Sequence, residues 1–369
     1  MTLVSQTPAL NKNDMNPEVI ITNLKKRYTG VSGTINALLP VQAMTLKIGF
    51  VGTDLPGAQQ AKREHPENFS YLTLWQAIGL SRKPLPDGRK RIWHVRRDPE
   101  MLLTIILRDV LRFPIRIVFT SAAKRRHSWF PRWMIGRMDA VIATTPEAAT
   151  FVKAAAVIPH GVDVNYFKPP ADKLNAWRNT GLPGKYGIGT FGRVRPEKGT
   201  DIFVEAMLQV LPDFPDFTAV IAGLCQPQFE GFKAELERKI ADKGLSDRIL
   251  FIGEIPPDQV RDWYANCLVT VACPRYEGYG LTVLEGMACG CAVVASDTGI
   301  FRKVLEDSGG GSVVPLESPS ELSSSLRSLL ADTSLAVEQG EKGCLHVEKF
   351  YSVNLEAEKI RTAYSVVDQ

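Results

Sequence analysis

The chain has 369 residues, of which 44% are apolar, 23% charged and 8% aromatic, a globular composition that excludes disorder, collagen-like repetition and a disulfide-stapled miniature. Its length predicts about two domains, each large enough to bury its own core. Lys and Arg number 44 against 40 Asp and Glu, and the resulting +4 is too mild for a general nucleic-acid binder.

The polar start, residues 1–17, has no apolar signal-peptide core. Beyond it, short apolar runs alternate with helical patterns, which predicts an α/β fold with mainly parallel sheets. Strands are expected at 19–22, 47–51, 91–95, 116–120, 140–144 and 156–159, with helices at 35–42, 99–111 and 147–153. The most apolar window, 101–121, is interrupted by Arg108, Asp109, Arg112 and Arg116, so it cannot span a bilayer. Between Arg82 and Arg137 fifteen Lys or Arg face four acids, Asp87, Asp98, Glu100 and Asp109, with Trp93, Trp129 and Trp133 interspersed. Such a surplus suits an anionic partner, phosphate or acidic lipid, although each residue alone reads equally as a solvated charge or a core tryptophan.

Pro and Gly cluster at Ile158-Pro159-His160-Gly161-Val162-Asp163 and again at Lys168-Pro169-Pro170, as in an interdomain hinge. The expected division is an N-terminal Rossmann-like domain, 1–163, a second Rossmann-like domain, 164–345, and a C-terminal helix, 346–369, crossing back to the first. Two doubly wound lobes would then face each other across a cleft. The second half restarts with strands at 187–191, 218–222, 249–252, 268–272, 292–296 and 312–314. Helices are expected at 200–211, 229–243, 257–265 and 281–288. All six cysteines (Cys225, Cys267, Cys273, Cys289, Cys291, Cys344) fall here without a C-x-x-C pair, which fits reduced thiols in a cytoplasmic protein.

Gly187-Ile188-Gly189-Thr190-Phe191-Gly192 satisfies G-x-G-x-x-G literally. Its first two glycines lie inside a strand run rather than in the turn to a helix, and this argues against a dinucleotide fingerprint. Doubly wound sheets bind ligands at the carboxyl ends of strands, so the loops there carry the chemistry. Pro274-Arg275-Tyr276-Glu277-Gly278-Tyr279-Gly280-Leu281-Thr282 follows one strand and opens a helix that continues to Glu285. Gly278 and Gly280 allow close backbone approach, with Tyr279 between them expected to join the donor site, and the amides of Gly280, Leu281 and Thr282 suit a diphosphate. Glu285, one turn beyond Leu281, can accept hydrogen bonds from vicinal hydroxyls such as those of a ribose. Glu277 would face the sugar end of the same ligand. In the loop after the first strand of this lobe, Arg193 and Lys198 pair a planar donor fork with a compact charge, both suited to phosphate. No D-x-D occurs, so cationic side chains and helix amides would stabilise the leaving phosphate without a metal or other cofactor.

These motifs resemble those of the retaining nucleotide-sugar glycosyltransferases of the two-Rossmann, GT-B type. Glu277 and Glu285 match the family's glutamates separated by seven residues, and Phe191-Gly192-Arg193 with Glu197-Lys198-Gly199 matches its phosphate loop. Pro159–Asp163 matches its interdomain signature, and Gly30-Val31-Ser32-Gly33-Thr34 resembles its first glycine-rich loop, placing Gly33 near the donor. The resemblance implies that Glu285 holds the ribose, that Arg193 and Lys198 hold the diphosphate, and that Glu277 positions the sugar. Trp93-His94-Val95-Arg96-Arg97, Arg125-Arg126-His127 and Arg137–Thr144 narrow it to bacterial lipopolysaccharide-core mannosyltransferases, implying GDP-mannose as donor and a lipid A-linked core oligosaccharide as acceptor. The family histidine after the strand at 115–120 is replaced by Ser121-Ala122-Ala123, so either His127 reaches back from a short loop or Ser121 and main-chain groups take over its contact.

The expected activity is therefore retaining hexosyl transfer at the cytoplasmic face of the inner membrane. Arg96, Arg97, Arg125 and Arg126 would form an acceptor or membrane patch, joined by His94 unless that residue, at the end of a strand, is a half-buried structural histidine. Rival readings are another donor (UDP-glucose or UDP-galactose), a non-catalytic sugar-nucleotide-binding module, a nucleotide-sugar epimerase and a peripheral membrane adaptor. Five scattered histidines with no i, i+4 pair offer no metal site.

Overall fold

A computed structural model describes residues 16–25, 29–123 and 127–368. Contacts divide the chain into two units, 1–158 with 357–369, and 159–356. The first is built on seven parallel strands: β1 Val19–Asn23, β2 Ile48–Gly52, β3 Phe69–Tyr71, β4 Arg91–Val95, β5 Ile115–Ser121, β6 Ala140–Ala143 and β7 Ala156–Val157. They lie in the order β3-β2-β1-β4-β5-β6-β7. Helices α1 Gly30–Ala43, α2 Pro56–Glu64, α3 Leu74–Leu80, α4 Asp98–Ile105, α5 Trp129–Ile135 and α6 Pro146–Phe151 connect them. The central strands β1 and β4 are buried along their whole length, as expected when helices cover both faces of a parallel sheet.

The second unit repeats the plan with β8 Tyr186–Phe191, β9 Phe217–Ala222, β10 Ile249–Gly253, β11 Cys267–Ala272, β12 Ala292–Ser296 and β13 Gly311–Val314. All are parallel, in the order β10-β9-β8-β11-β12-β13. Its helices are α7 Thr200–Val210, α8 Glu230–Asp242, α9 Val260–Asn266, α10 Leu281–Ala288, α11 Phe301–Ser308, α12 Pro319–Ala331 and α13 Thr333–Phe350. The last helix, α14 Val353–Asp368, starts in this unit and from Ala357 onward belongs to the first. Phe203, Met207, Val210, Leu322 and Leu326 from α7 and α12 are fully buried in one core cluster with Ile188 and Val269 of the sheet. No helix among the described residues is long and apolar enough to cross a membrane. All six cysteines are free thiols.

The strand pattern agrees with the sequence reading except at β3, whose three residues are too short to show a period. The division between units falls at Ile158 rather than Asp163 because the hinge residues bond within the second unit. Val162 N–H donates to Tyr351 O at 2.8 Å, and Gly161 N–H to Glu356 Oε2 at 2.8 Å. Residues 346–356 stay with that unit for the same reason, so only the rest of α14 returns to the first. Helix α1 starts at Gly30, five residues before the expected 35, because Thr29 caps it by accepting from Ser32 N–H at 3.4 Å. The helix expected over 99–111 is α helix to Ile105 and then a π-helical turn, Ile106–Val110.

Gly187 and Gly189 lie inside β8, and their role is packing. A Cβ on Gly187 would stand 2.1 Å from the buried Trp177 ring. Gly187→Ala is expected to destabilise the protein by about 1–3 kcal/mol, seen as a lower midpoint in chemical denaturation, because the buried ring or the strand would have to shift.

Candidate functional site

In the second unit β8 has β9 on one side and β11 on the other. The strand order reverses there, so the loops leaving the carboxyl ends of β8 and β11 flank the crevice where doubly wound sheets take ligands. Both candidate motifs lie in these two loops.

The β8 loop runs through a 3-10 turn, Pro196–Lys198, to Gly199 at the start of α7. It is laced to the β11 loop at several points. Arg275 N–H donates to Glu197 O at 3.1 Å, and Cys273 Sγ–H to Gly199 O at 3.2 Å. The Arg275 guanidinium forks onto the Asp201 carboxylate at 2.9 and 2.8 Å and also bonds Pro196 O. At the mouth, Lys198 Nζ donates to Glu277 Oε2 at 2.6 Å. Glu277 is further fixed by its own N–H donating to Thr298 Oγ1 at 3.2 Å and by Gly278 N–H donating to its Oε1 at 2.9 Å. Arg193 follows Gly192 in the same loop and is partly exposed. Its backbone surroundings are held to the neighbouring loop by Gly192 N–H to Ala222 O and Val194 N–H to Leu224 O.

Helix α10 opens at Gly280, whose φ of 106° is costly for any residue with a Cβ. A Cβ there would also stand 2.0 Å from Phe301 Cε1. No side chain caps this helix and its first turn carries no acid, while Leu281 and Thr282 stay partly exposed. The first-turn amides and the positive end of the helix dipole thus suit an anion. One turn on, Glu285 is half-buried and accepts a hydrogen bond from Tyr264 Oη at 3.0 Å. Burial pushes its carboxyl up to about 7, against the opposing effect of the Tyr264 bond.

Tyr279 differs from expectation. Its ring is buried, and its hydroxyl donates to His160 O at 2.7 Å, so the side chain fastens the helix entrance to the 158–163 segment instead of lining the crevice. His160 in turn pairs with Glu356 at 2.7 Å.

The first unit rearranges several expectations. Gly33 lies in the first turns of α1, not in a loop, and its N–H is taken by Thr29 O. His94 is fully buried, with Tyr364 Oη 2.6 Å from Nδ1 and Thr120 Oγ1 2.7 Å from Nε2, a core bridge that cannot serve as a surface contact. Arg96 is buried, and Arg97 donates to Asn23 Oδ1 at 2.7 Å and Thr29 Oγ1 at 3.1 Å. Arg97 thus ties the end of β1 to the start of α1, and the burial of Arg96 keeps it out of an open patch. His127 is partly buried, and its Nε2 has no hydrogen-bond partner among the described residues. Arg125 and Arg126 lie outside the described residues.

Much of the basic surplus is consumed internally. Arg91 is buried and donates to Pro17 O at 2.7 Å. Arg108 and Arg116 pair with Asp139 at 2.6 and 3.1 Å, and Arg137 with Asp109 at 2.8 Å. Sequence reasoning missed Tyr264 and the Arg275–Asp201 brace. Arg275 sat inside the motif, but nothing in the sequence signalled its partner.

The chain matches the model of the glycosyl transferases group 1 over residues 176–345. It is 41% identical to the lipopolysaccharide core biosynthesis mannosyltransferase LpcC of Rhizobium leguminosarum bv. viciae, over 94% of this chain and 96% of that protein. It is 39% identical to the lipopolysaccharide core biosynthesis mannosyltransferase LpsB of Rhizobium meliloti, over 94% and 97%. The crystal structure of Anabaena HepE with UDP superposes with a TM-score of 0.78 at 17% identity, over 95% of this chain and 100% of that one, a likeness of fold alone.

The raised Glu285 carboxyl fixes the sign of a stability effect. Between its ordinary value of 4.5 and about 7 the folded protein keeps a proton that the unfolded chain has lost, so this residue's contribution to stability falls as pH rises through that window. Glu285→Gln is expected to raise thermal stability at pH 8 by up to about 3 kcal/mol and to change it little at pH 4.5. Calorimetric melts at the two pH values measure the difference.

Proposed function

The chain belongs to the group 1 glycosyltransferases, and we propose that it is a retaining mannosyltransferase that moves mannose from GDP-mannose onto the lipopolysaccharide inner core. The observation that carries this reading is the direct contact of Lys198 with Glu277 beside the uncapped start of α10, with Glu285 one turn beyond. The relatives' names supply the sugar and the acceptor.

In this scheme the diphosphate lies against Arg193, Lys198 and the first amides of α10. The Glu285 carboxylate accepts from the ribose hydroxyls, and Glu277 orients the sugar. As the glycosidic bond to phosphate breaks, negative charge grows on the departing diphosphate, where fixed cations and amides stabilise the transition state more than the ground state. The acceptor oxygen attacks the face that the phosphate leaves, and a departing phosphate oxygen takes its proton, so configuration is retained. The scheme assigns no role to a metal.

We place the protein on the cytoplasmic face of the inner membrane. The surface of α5 supports this, since Trp129, Phe130 and Trp133 are 73%, 38% and 42% exposed. Arg132 is exposed on the same helix, and the Arg137 guanidinium lies 4.9 Å from the Trp133 ring centre. Aromatic rings beside arginines are what an anionic headgroup layer accepts.

Titration calorimetry against GDP-mannose, UDP-glucose, UDP-galactose and ADP-heptose tests the donor, and preference for a uridine or adenine nucleotide would overturn the assignment. Glu285→Ala is expected to weaken nucleotide binding at least about tenfold through loss of charge-assisted hydrogen bonds. Arg193→Ala is expected to lower turnover about a hundredfold or more. Wild-type values for both variants would break the site, while tight donor binding without transfer to a core acceptor would identify a binding module. The anomeric configuration of the product, read by NMR, decides retention.

A further inference from the structure

Glu285 accepts a hydrogen bond from a side chain that neither motif contains. Tyr264, on α9, is 1% exposed, and its ring stacks on Phe191 at the end of β8, with centroids 3.9 Å apart and planes at 29°. Phe167 meets its ring edge-on at 6.1 Å. Packed this way the ring presents its hydroxyl to Glu285 Oε2, to which it donates at 3.0 Å. The two helices that carry this pair are clasped at their C-terminal ends by one lysine. Lys173 Nζ donates to Ala265 O of α9 at 2.9 Å and to Cys289 O, the cap of α10, at 2.8 Å. A third, longer bond reaches Tyr264 O at 3.4 Å.

A glutamate side chain has three rotatable bonds, and a carboxylate that must meet two vicinal hydroxyls loses affinity if it has to be ordered on binding. We propose that Tyr264 is a positioning residue that holds Glu285 in the orientation that accepts the ribose hydroxyls of the nucleotide, with Lys173 setting the spacing between their helices. The inference rests on the reading of Glu285 as the ribose acceptor. A carboxylate has about four acceptor sites, and Tyr264 fills one, so capacity for both hydroxyls remains. Tyr264 stays a donor at all working pH values, since burial pushes its phenol well up from its ordinary range.

Tyr264→Phe keeps the ring stack and removes only the hydroxyl. The test compares calorimetric affinities of the full chain for GDP and for 2′,3′-dideoxy-GDP. The wild type is expected to prefer GDP. Tyr264→Phe is expected to lose about three- to tenfold for GDP and nothing for the dideoxy nucleotide. With GDP-mannose the same variant should raise KM more than it lowers kcat. Lys173→Met is expected to narrow the GDP preference in the same direction.

Equal losses for both nucleotides would make Tyr264 merely structural and overturn the inference, as would an unchanged preference in Tyr264→Phe. Glu285→Ala separates the two levels. If it abolishes the preference while Tyr264→Phe does not, the ribose reading stands and the positioning role falls. If it leaves the preference intact, the ribose reading itself fails, and the positioning role with it.

Discussion

The candidate site depends on how two loops, far apart in sequence, are stitched together at the carboxyl ends of β8 and β11. The Arg275–Asp201 fork is bidentate and partly shielded from water, the geometry in which an ion pair holds direction as well as charge. Gly199 lets the second loop approach to contact distance, since a Cβ there would meet Cys273 O at 1.9 Å. With those ties made, Lys198 and Glu277 meet without further adjustment. Their own pair is partly exposed and so contributes only about 1 kcal/mol or less. The Arg275 fork differs from it not in exposure but in its two parallel bonds, which fix geometry, whereas the single Lys198–Glu277 contact is one that a ligand can exchange.

Glu285 shows the cost of such a site. A carboxyl raised to about 7 by burial is a liability for folding at neutral pH, and a neutral side chain of similar size would remove it. Its retention beside the uncapped end of α10 fits a group kept for what it binds. The helix that carries it is anchored by apolar packing of its own, since Val283, Leu284 and Met287 of α10 are buried in one core cluster, while Tyr264 and Phe191 pack in another.

The first unit corrects a common inference from charge runs. Fifteen cations in a short stretch suggest a broad positive face, but Asp139, just beyond the stretch, already engages Arg108 and Arg116. Arg91 and Arg97 are spent on backbone carbonyls and on the start of α1. Among the described residues Arg82, Lys83, Lys90 and Arg112 stay exposed, as do Arg132 and the aromatic rings of α5.

The sequence by itself determined the doubly wound class, all but one of the strands, and the two loops, after β8 and β11, that carry the candidate residues. Those signals are local: apolar runs of strand length, glycines at turns, and cations or carboxylates at fixed spacing. It also rejected the literal G-x-G-x-x-G, because strand periodicity placed those glycines inside β8. Only the tertiary structure decided that the Tyr279 ring faces the core, that residues 159–163 bond within the second unit, and that Tyr264 stands behind Glu285. Each of these rests on a contact between residues distant along the chain, where hydrogen-bond satisfaction and packing override anything a local pattern can encode.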